Sequence, residues 1–202
     1  MQKNSVQEWV DWYLSLPRAK YFVRIDKEFL HNISNYYGIK QKINHFDAAF
    51  QLMINNNVPP ELGNMELDSE AWLIEQQAEI LYGFIHSLYI MTSKGLSLMK
   101  EKYDKGEFPK CPRVLCNGIY CLPYGISETI NEYSVKLYCP NCNDIFNKTD
   151  KNIPAIDGAF FGPSWVHSFV LKYPTILPKE LPHTYIPKLF GFTIIHPEEE
   201  ES

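Results

Sequence analysis

Four of the five cysteines in this 202-residue chain are spaced so that they could hold a metal ion. Cys111 and Cys116 are separated by four residues, Cys139 and Cys142 by two, and 22 residues lie between the two pairs. Each pair makes a tight turn that directs two thiolates at a shared point, and two such pairs complete the tetrahedron of a zinc ribbon. The spacing therefore predicts one structural zinc ion per chain.

Two alternative interpretations of these cysteines are weaker. They could be unrelated buried thiols, although paired spacing of this kind is specific. Cys139 and Cys142 could be a redox motif, but such a motif normally opens a helix within a βαβ unit, and the surrounding sequence shows no such pattern. Cys121 has no partner at the required spacing, so we expect a small, partly buried residue on the strand after the first pair.

The predicted metal is structural, and we expect that the protein is not an enzyme. A catalytic metal keeps an open position, usually beside histidine or carboxylate ligands, whereas four thiolates close the site. The sequence also shows no paired nucleophile and base and no glycine motif of the phosphate-binding kind. A structural zinc contributes about 10–16 kcal/mol, as an apparent value, in small zinc-finger peptides. We therefore expect residues 107–158 to be unfolded without it.

The residues before the cysteines are predicted to be helical, and one short helix is predicted after them. Apolar side chains recur with the period of an α-helix over residues 74–89, and Asp68 or Ser69 can cap this helix. Ser5 and Glu8 have the spacing of a capping box for a first helix. Further helices are predicted over residues 26–37, 44–54, 93–103 and 164–172.

The sequence changes character after residue 104. Short runs rich in Val, Tyr and Leu, such as residues 133–138, are typical of strands. Five of the 14 prolines lie within residues 174–197, so this segment is predicted to be extended. The predicted fold class is α+β: an all-helical domain over residues 1–104, a four-cysteine zinc ribbon over 105–162, and a short helix with a proline-rich C-terminal segment over 163–202.

Hydropathy argues against a membrane-spanning protein, and charge argues against a nucleic-acid-binding one. No apolar run approaches 18 residues, so no membrane span is expected. The rival is a zinc-ribbon nucleic-acid-binding or transcription-related protein. However, the net charge is −5, and residues 117–138 between the cysteine pairs contain one lysine, Lys136, and two acids, Glu128 and Glu132. This is the wrong electrostatic pattern for phosphate contacts.

Several longer stretches carry a resemblance to a known family. The most specific are LIEQQAEILYGFIHSLYIMTSKG (residues 73–95), EKYDKGEFPKCPRVLC (101–116), VKLYCPNC (135–142), DGAFFG (157–162) and PKLFGFTIIHP (187–197). They lie in order and at matching spacing over nearly the whole chain, from about Val6 to Pro197. On these stretches the chain resembles the regulatory beta subunit of casein kinase II.

The resemblance implies a non-catalytic regulator of a Ser/Thr kinase. Members of that family join a helical domain to a zinc ribbon, dimerise through their ribbons, bind and stabilise two catalytic subunits, and alter substrate choice. The implied partners are the catalytic (alpha) subunit, a second copy of this chain, and protein substrates and regulators of the kinase. The resemblance implies no direct contact with nucleic acid or membrane, and a location in the cytoplasm and the nucleus.

The resemblance also assigns roles to particular residues. The zinc ligands fall on the four paired cysteines. A C-terminal hairpin that docks the kinase carries Phe190, where the family usually has Tyr, and Phe192. Pro112, Val114 and Ile145 are expected at the dimer interface, because exposed apolar side chains on a thin ribbon indicate an interface. Packing against the helical domain would account for them equally well.

The family's acidic loop after the third helix is weak in this chain. Residues 55–70 contain Glu61, Glu66, Asp68 and Glu70 as their acids. A few spread carboxylates make a weak field at physiological salt, so we expect a reduced or absent response to polyamines. The alternative is an ordinary solvated loop.

Overall fold

The computed structural model describes residues 8–55, 69–116, 118–147, 154–178 and 184–194. These ranges contain helices α1 (Trp9–Ser15), α2 (Lys27–His31), α3 (Phe46–Ile54), α4 (Glu70–Tyr89), α5 (Ser93–Asp104) and α6 (Trp165–Lys172). The strands are β1 (Leu122–Tyr124), β2 (Lys136–Cys139), β3 (Asp144–Asn147), β4 (Lys188–Leu189) and β5 (Phe192–Thr193). The predicted α+β fold class is confirmed. Across the described ranges, no helix combines the length and the apolar character needed to span a membrane.

The long helix α4 begins where the sequence predicts. The Ser69 side chain accepts a hydrogen bond from the Trp72 N–H, as an N-cap should. The predicted capping box at Ser5 and Glu8 is wrong for Glu8, because α1 begins at Trp9 and Glu8 is itself the extended N-cap residue. Its carboxylate contacts basic side chains further along the chain instead. Ser5 lies outside the described residues.

The helix predicted over residues 26–37 is interrupted. It ends at His31, and a 3₁₀ turn over Ile33–Tyr36 follows. The Asn32 side chain accepts a hydrogen bond from the Ser34 N–H, and this local bond competes with the helical ladder. The sequence predicts that the helix ends at Gly38, which does have a φ of +80°, but the α-helix has already ended at His31.

The main hydrophobic core is centred on α4. Leu81, Tyr82 and Ile85 are fully buried there, and the Tyr82 hydroxyl donates to the Val23 carbonyl at 2.9 Å. The fully buried His86 joins two segments: its Nε2 accepts from the Val23 N–H at 3.2 Å, and its Nδ1–H donates to the Phe160 carbonyl at 2.9 Å. The second bond ties α4 to the turn Gly158–Phe160 in the cysteine-rich half.

The same core continues into that half of the chain. Leu122, Val135 and Ile156 belong to it, and the buried Trp165 donates its indole N–H to the Pro123 carbonyl at 2.9 Å. The core is therefore continuous across the predicted boundary between residues 104 and 105, and the division into domains stays a prediction.

Strands β1, β2 and β3 form an antiparallel sheet in that order, with Leu122 opposite Tyr138 and Leu137 opposite Phe146. At the end of this sheet where β2 reaches Cys139, a second, smaller cluster of buried side chains forms, which we name the thiol cluster. Its members are Cys111, Cys116, Cys121, Leu137 and Cys139, with Ile119, Cys142 and Phe146 packed against them. Further along the chain, β4 and β5 form a two-stranded hairpin.

Candidate metal centre and docking surfaces

The four cysteines predicted as ligands lie together. Their Sγ atoms are all within 4.8 Å of one another. The Cys111 and Cys142 sulfurs are 3.8 Å apart, and those of Cys116 and Cys139 are 3.4 Å apart. Tetrahedral zinc with Zn–S bonds of about 2.3 Å requires sulfurs separated by about 3.8 Å. The donor set and its spacing therefore fit one tetrahedral ion.

Short turns place these sulfurs, and the sheet anchors one of them. Cys139 ends β2, and the Cys142 N–H donates to the Cys139 sulfur at 3.4 Å across the turn that follows. Cys116 ends the 3₁₀ turn that begins at Val114, while the Cys111 N–H bonds to the Ile119 carbonyl at 2.7 Å. Three of the four ligands thus belong to turns and irregular segments rather than to a strand.

Two polar side chains form an outer layer around the sulfurs. The Asn141 amide donates to the Cys116 sulfur at 3.2 Å, and the Arg113 guanidinium donates to the Cys142 sulfur at 3.5 Å. Donors of this kind stabilise thiolate charge and hold ligands in orientation. Sequence reasoning missed both residues, although a signal was present: each is a polar residue inside one of the cysteine pairs.

The thiols differ in how readily they ionise. Burial opposes ionisation of Cys116, but hydrogen bonds from a side-chain amide and from neighbouring thiols outweigh it and lower its pKa to about 7. The pKa values of Cys111 and Cys142 are raised, chiefly by burial. The pKa of Cys139 is raised first by a hydrogen bond with the Cys121 thiol and then by burial. Since metal ligands must be deprotonated, a metal held by these thiols would displace protons and would bind more weakly as the pH falls.

Cys121 lies beside the metal site but outside the group of four. It immediately precedes β1 and is fully buried, more deeply than the sequence predicts. Its N–H donates to the Pro109 carbonyl at 2.8 Å, which fixes its backbone against the segment that leads into the first cysteine pair.

The C-terminal hairpin presents two aromatic rings to solvent. Phe190 is 91% exposed and Phe192 is 78% exposed. Leu189 pairs with Phe192, so Phe190 and Gly191 are the two turn residues, and both have positive φ, 51° and 90°. This is the backbone of a type I′ hairpin turn, in which Asn, Asp and Gly are the usual residues.

The residues predicted at a dimer interface are exposed. Val114 is 92% exposed and Ile145 is 41% exposed, and Pro112 is also at the surface. Val114 is too exposed to be packed against the helices in the single chain, and the alternative stays open for the other two. Their role in an interface stays a prediction. The acidic residues Glu61, Glu66 and Asp68 lie outside the described residues.

Comparison with known proteins places these features in one family. The family model described as casein kinase II regulatory subunit matches residues 8–193. Casein kinase II subunit beta of Dictyostelium discoideum is 37% identical over 186 residues, which are 92% of this chain and 68% of that protein. The subunit beta of Schizosaccharomyces pombe is 38% identical over 193 residues, 96% of this chain and 81% of that protein. The subunit beta' of Drosophila melanogaster is 32% identical over 197 residues, 98% of this chain and 88% of that protein.

Proposed function

The chain belongs to the casein kinase II regulatory subunit family, and we propose that it docks the catalytic subunit on its C-terminal hairpin and pairs with a second copy through the thiol-cluster end. The family is the non-catalytic subunit of the kinase, so the chain regulates an enzyme and is not one itself. The nucleic-acid-binding alternative is not favoured. We further propose that the complex works in the cytoplasm and the nucleus, on protein substrates and with protein regulators of the kinase.

The hairpin is the single observation that carries the docking proposal. Two aromatic rings three-quarters or more exposed, on a two-residue turn, are the usual anatomy of a binding hot spot. The left-handed backbone at Phe190 costs a residue with a Cβ atom roughly 1–2 kcal/mol. A large apolar side chain at such a position contributes little to the stability of the free chain. Its presence is therefore best explained by contact with a partner.

Replacing both rings tests this surface. The double substitution Phe190→Ala with Phe192→Ala should weaken binding of the catalytic subunit by about 2 kcal/mol or more, which is about thirtyfold in Kd. The measurement is titration of the catalytic subunit by calorimetry.

Tyr37→Ala is the matched control, because Tyr37 is 95% exposed in the helical half. It should leave the affinity unchanged. Equal affinity of the hairpin variant and the unaltered protein would remove the hairpin from the proposal.

We propose zinc as the metal. Four thiolates in a tetrahedron are typical of zinc or of an iron–sulfur centre. Elemental analysis of the reduced, purified chain should give about one zinc per chain, and a spectrum without visible absorption would exclude iron. Iron bound in place of zinc would contradict the assignment.

Pairing through the thiol-cluster end can be tested with a charge. Val114→Asp places a carboxylate on the most exposed apolar residue of this end, and burial of that charge in an interface is costly. Mass measurement should show pairs for the unaltered protein and single chains for the variant. With the catalytic subunit added, the unaltered protein should give a complex of two chains and two catalytic subunits. Leu171→Asp, at an exposed position of α6, is the control and should not change the mass.

A further inference from the structure

The fifth thiol, Cys121, is positioned as a second partner for Cys139. The sheet register pairs Leu122 with Tyr138, so the next residues outward along the antiparallel ladder are Cys121 and Cys139. Residues directly opposite on antiparallel strands have Cα atoms roughly 4.5–5.5 Å apart. Disulfides need a Cα separation of roughly 4.4–6.8 Å. Their side chains therefore lie on the same face of the sheet, and both are fully buried members of the thiol cluster.

Loss of the metal should affect the neighbours of Cys139 unequally. The Cys116 sulfur, now 3.4 Å from that of Cys139, belongs to a 3₁₀ turn that has no strand pairing and that a bound metal would hold in place. Cys121 is held differently, because its neighbour Leu122 is buried in the main core and pairs with β2. We therefore expect the pairing of β1 with β2 to persist when the metal is absent. Without metal, Cys116 is therefore free to move away, whereas Cys121 stays opposite Cys139 at a high effective concentration.

We propose that Cys121 and Cys139 form an intramolecular disulfide when the metal has left and a peroxide is present, and that this bond prevents the metal from returning. The peroxide first oxidises one thiol to a sulfenic acid and is reduced to water. The second thiol attacks that sulfur, the S–S bond forms, and the hydroxyl leaves as a second water. Two electrons pass from the sulfurs to the peroxide oxygen, and both thiol protons end in water.

The consequence is a metal site that oxidation can close. A disulfide at Cys139 removes one of the four ligands, and three remaining thiolates bind zinc less well than four. A small thiol reductant restores Cys139 by exchange through a mixed disulfide, and metal can then return. A bound metal would hold the Cys139 thiolate as a ligand and would thereby suppress the reaction. The inference rests on metal binding by the four thiols and not on contact with a kinase.

The test uses the full chain loaded with zinc, whose metal content is measured first. The protein is treated with a chelator and limiting hydrogen peroxide, desalted, and offered zinc again. We expect a mass lower by two hydrogen atoms, a cross-linked peptide pair containing Cys121 and Cys139, and loss of zinc uptake until a thiol reductant is added. Peroxide without chelator should leave the protein loaded.

Cys121→Ser is the matched variant, since it removes the thiol and keeps a side chain of similar size. It should lose zinc uptake several-fold more slowly under the same treatment, and Cys121→Ala should behave alike. Peptide mapping of the unaltered chain decides the question even if neither variant folds. A first disulfide between Cys116 and Cys139 or between Cys111 and Cys142 would overturn the proposal, as would loss of uptake in Cys121→Ser at the unaltered rate. A chain that binds no zinc at the outset would refute the metal assignment instead.

Discussion

The main core and the thiol cluster of this molecule are held together by different forces. In the main core, large side chains such as Trp9, Tyr82 and Trp165 are fully buried, so removal of apolar surface from water stabilises it. The thiol cluster has Leu137 as its fully buried aliphatic residue, and its other fully buried members are cysteines. A cluster of that size buries little apolar surface, so we expect it to need a bound metal to hold the cysteine turns in place. The two regions share one sheet, which is a route by which a change in either can affect the other.

Metal removal should have the largest effect. The sequence suggests that the whole of residues 107–158 unfolds without zinc, but Leu122, Val135 and Ile156 are part of the main core. We therefore expect a chelator under reducing conditions to abolish hydrogen-exchange protection over residues 111–119 and 140–147 and to leave α4 protected. The binding energy lost is of the order of 10 kcal/mol.

Loss of protection throughout the sheet and in α4 would show that the two regions are one cooperative unit. Unchanged protection at the cysteine turns would show that the metal is not what holds them.

The sequence predicted the parts of this molecule that depend on local spacing. The helix around residues 74–89, its Ser69 cap and the grouping of four cysteines all follow from periodicity or motif spacing. What it could not predict depends on contacts between distant residues. The bond from His86 to Phe160 joins positions 74 residues apart, and the depth of Cys121 follows from strand pairing. Asn32 was a local signal for the break in the second helix, but the prediction followed the apolar periodicity of residues 26–37 instead.

Trp165→Ala should produce the next largest effect. Its ring is fully buried, and its indole N–H bonds to the Pro123 carbonyl of β1, so it joins α6 to the shared sheet. Truncation of a buried Trp typically costs about 3–5 kcal/mol. Denaturant unfolding should show this loss while the metal-loaded turns keep their zinc. Trp165→Phe keeps most of the apolar contact and loses the hydrogen bond, so it should lower the free energy of unfolding by less than Trp165→Ala does. An equal loss in the two variants would mean that the lost packing volume is not the cause.

His86 should make the stability of the main core sensitive to acid. Burial is the main cause that lowers its pKa to about 4, from an ordinary value of 6.5. The unfolded chain therefore takes up a proton between pH 6.5 and 4 that the folded chain excludes, so stability is present above that range and is lost as the pH falls through it. The loss is about 3 kcal/mol. Protonation would also place a second donor against the Val23 N–H, which now donates to Nε2.

Comparison with His86→Gln isolates this effect. Glu75 and Glu79 have raised pKa values, chiefly because of burial, and they contribute in the opposite direction, since folded carboxyls that keep their protons gain stability as the pH falls. The unaltered protein and the His86→Gln variant both retain these carboxyls, so the difference between their curves of stability against pH reports His86. Parallel curves from pH 7 to 4 would contradict the prediction.

Gly83→Ala should give the smallest change, and its sign reports the contact between the two halves. In a helix interior, Ala is more stable than Gly by about 1 kcal/mol. Here, however, a Cβ at position 83 would overlap Cδ1 of Phe160, in the turn that His86 also holds. The overlap should outweigh the helix preference and destabilise the fold by about 1–3 kcal/mol. In a Phe160→Ala background the overlap is absent, so Gly83→Ala should there become stabilising. A reversal of sign between the two backgrounds would show that close packing of α4 on this turn, and not the helix itself, limits residue 83 to glycine; the same sign in both would show that the two halves do not pack this closely.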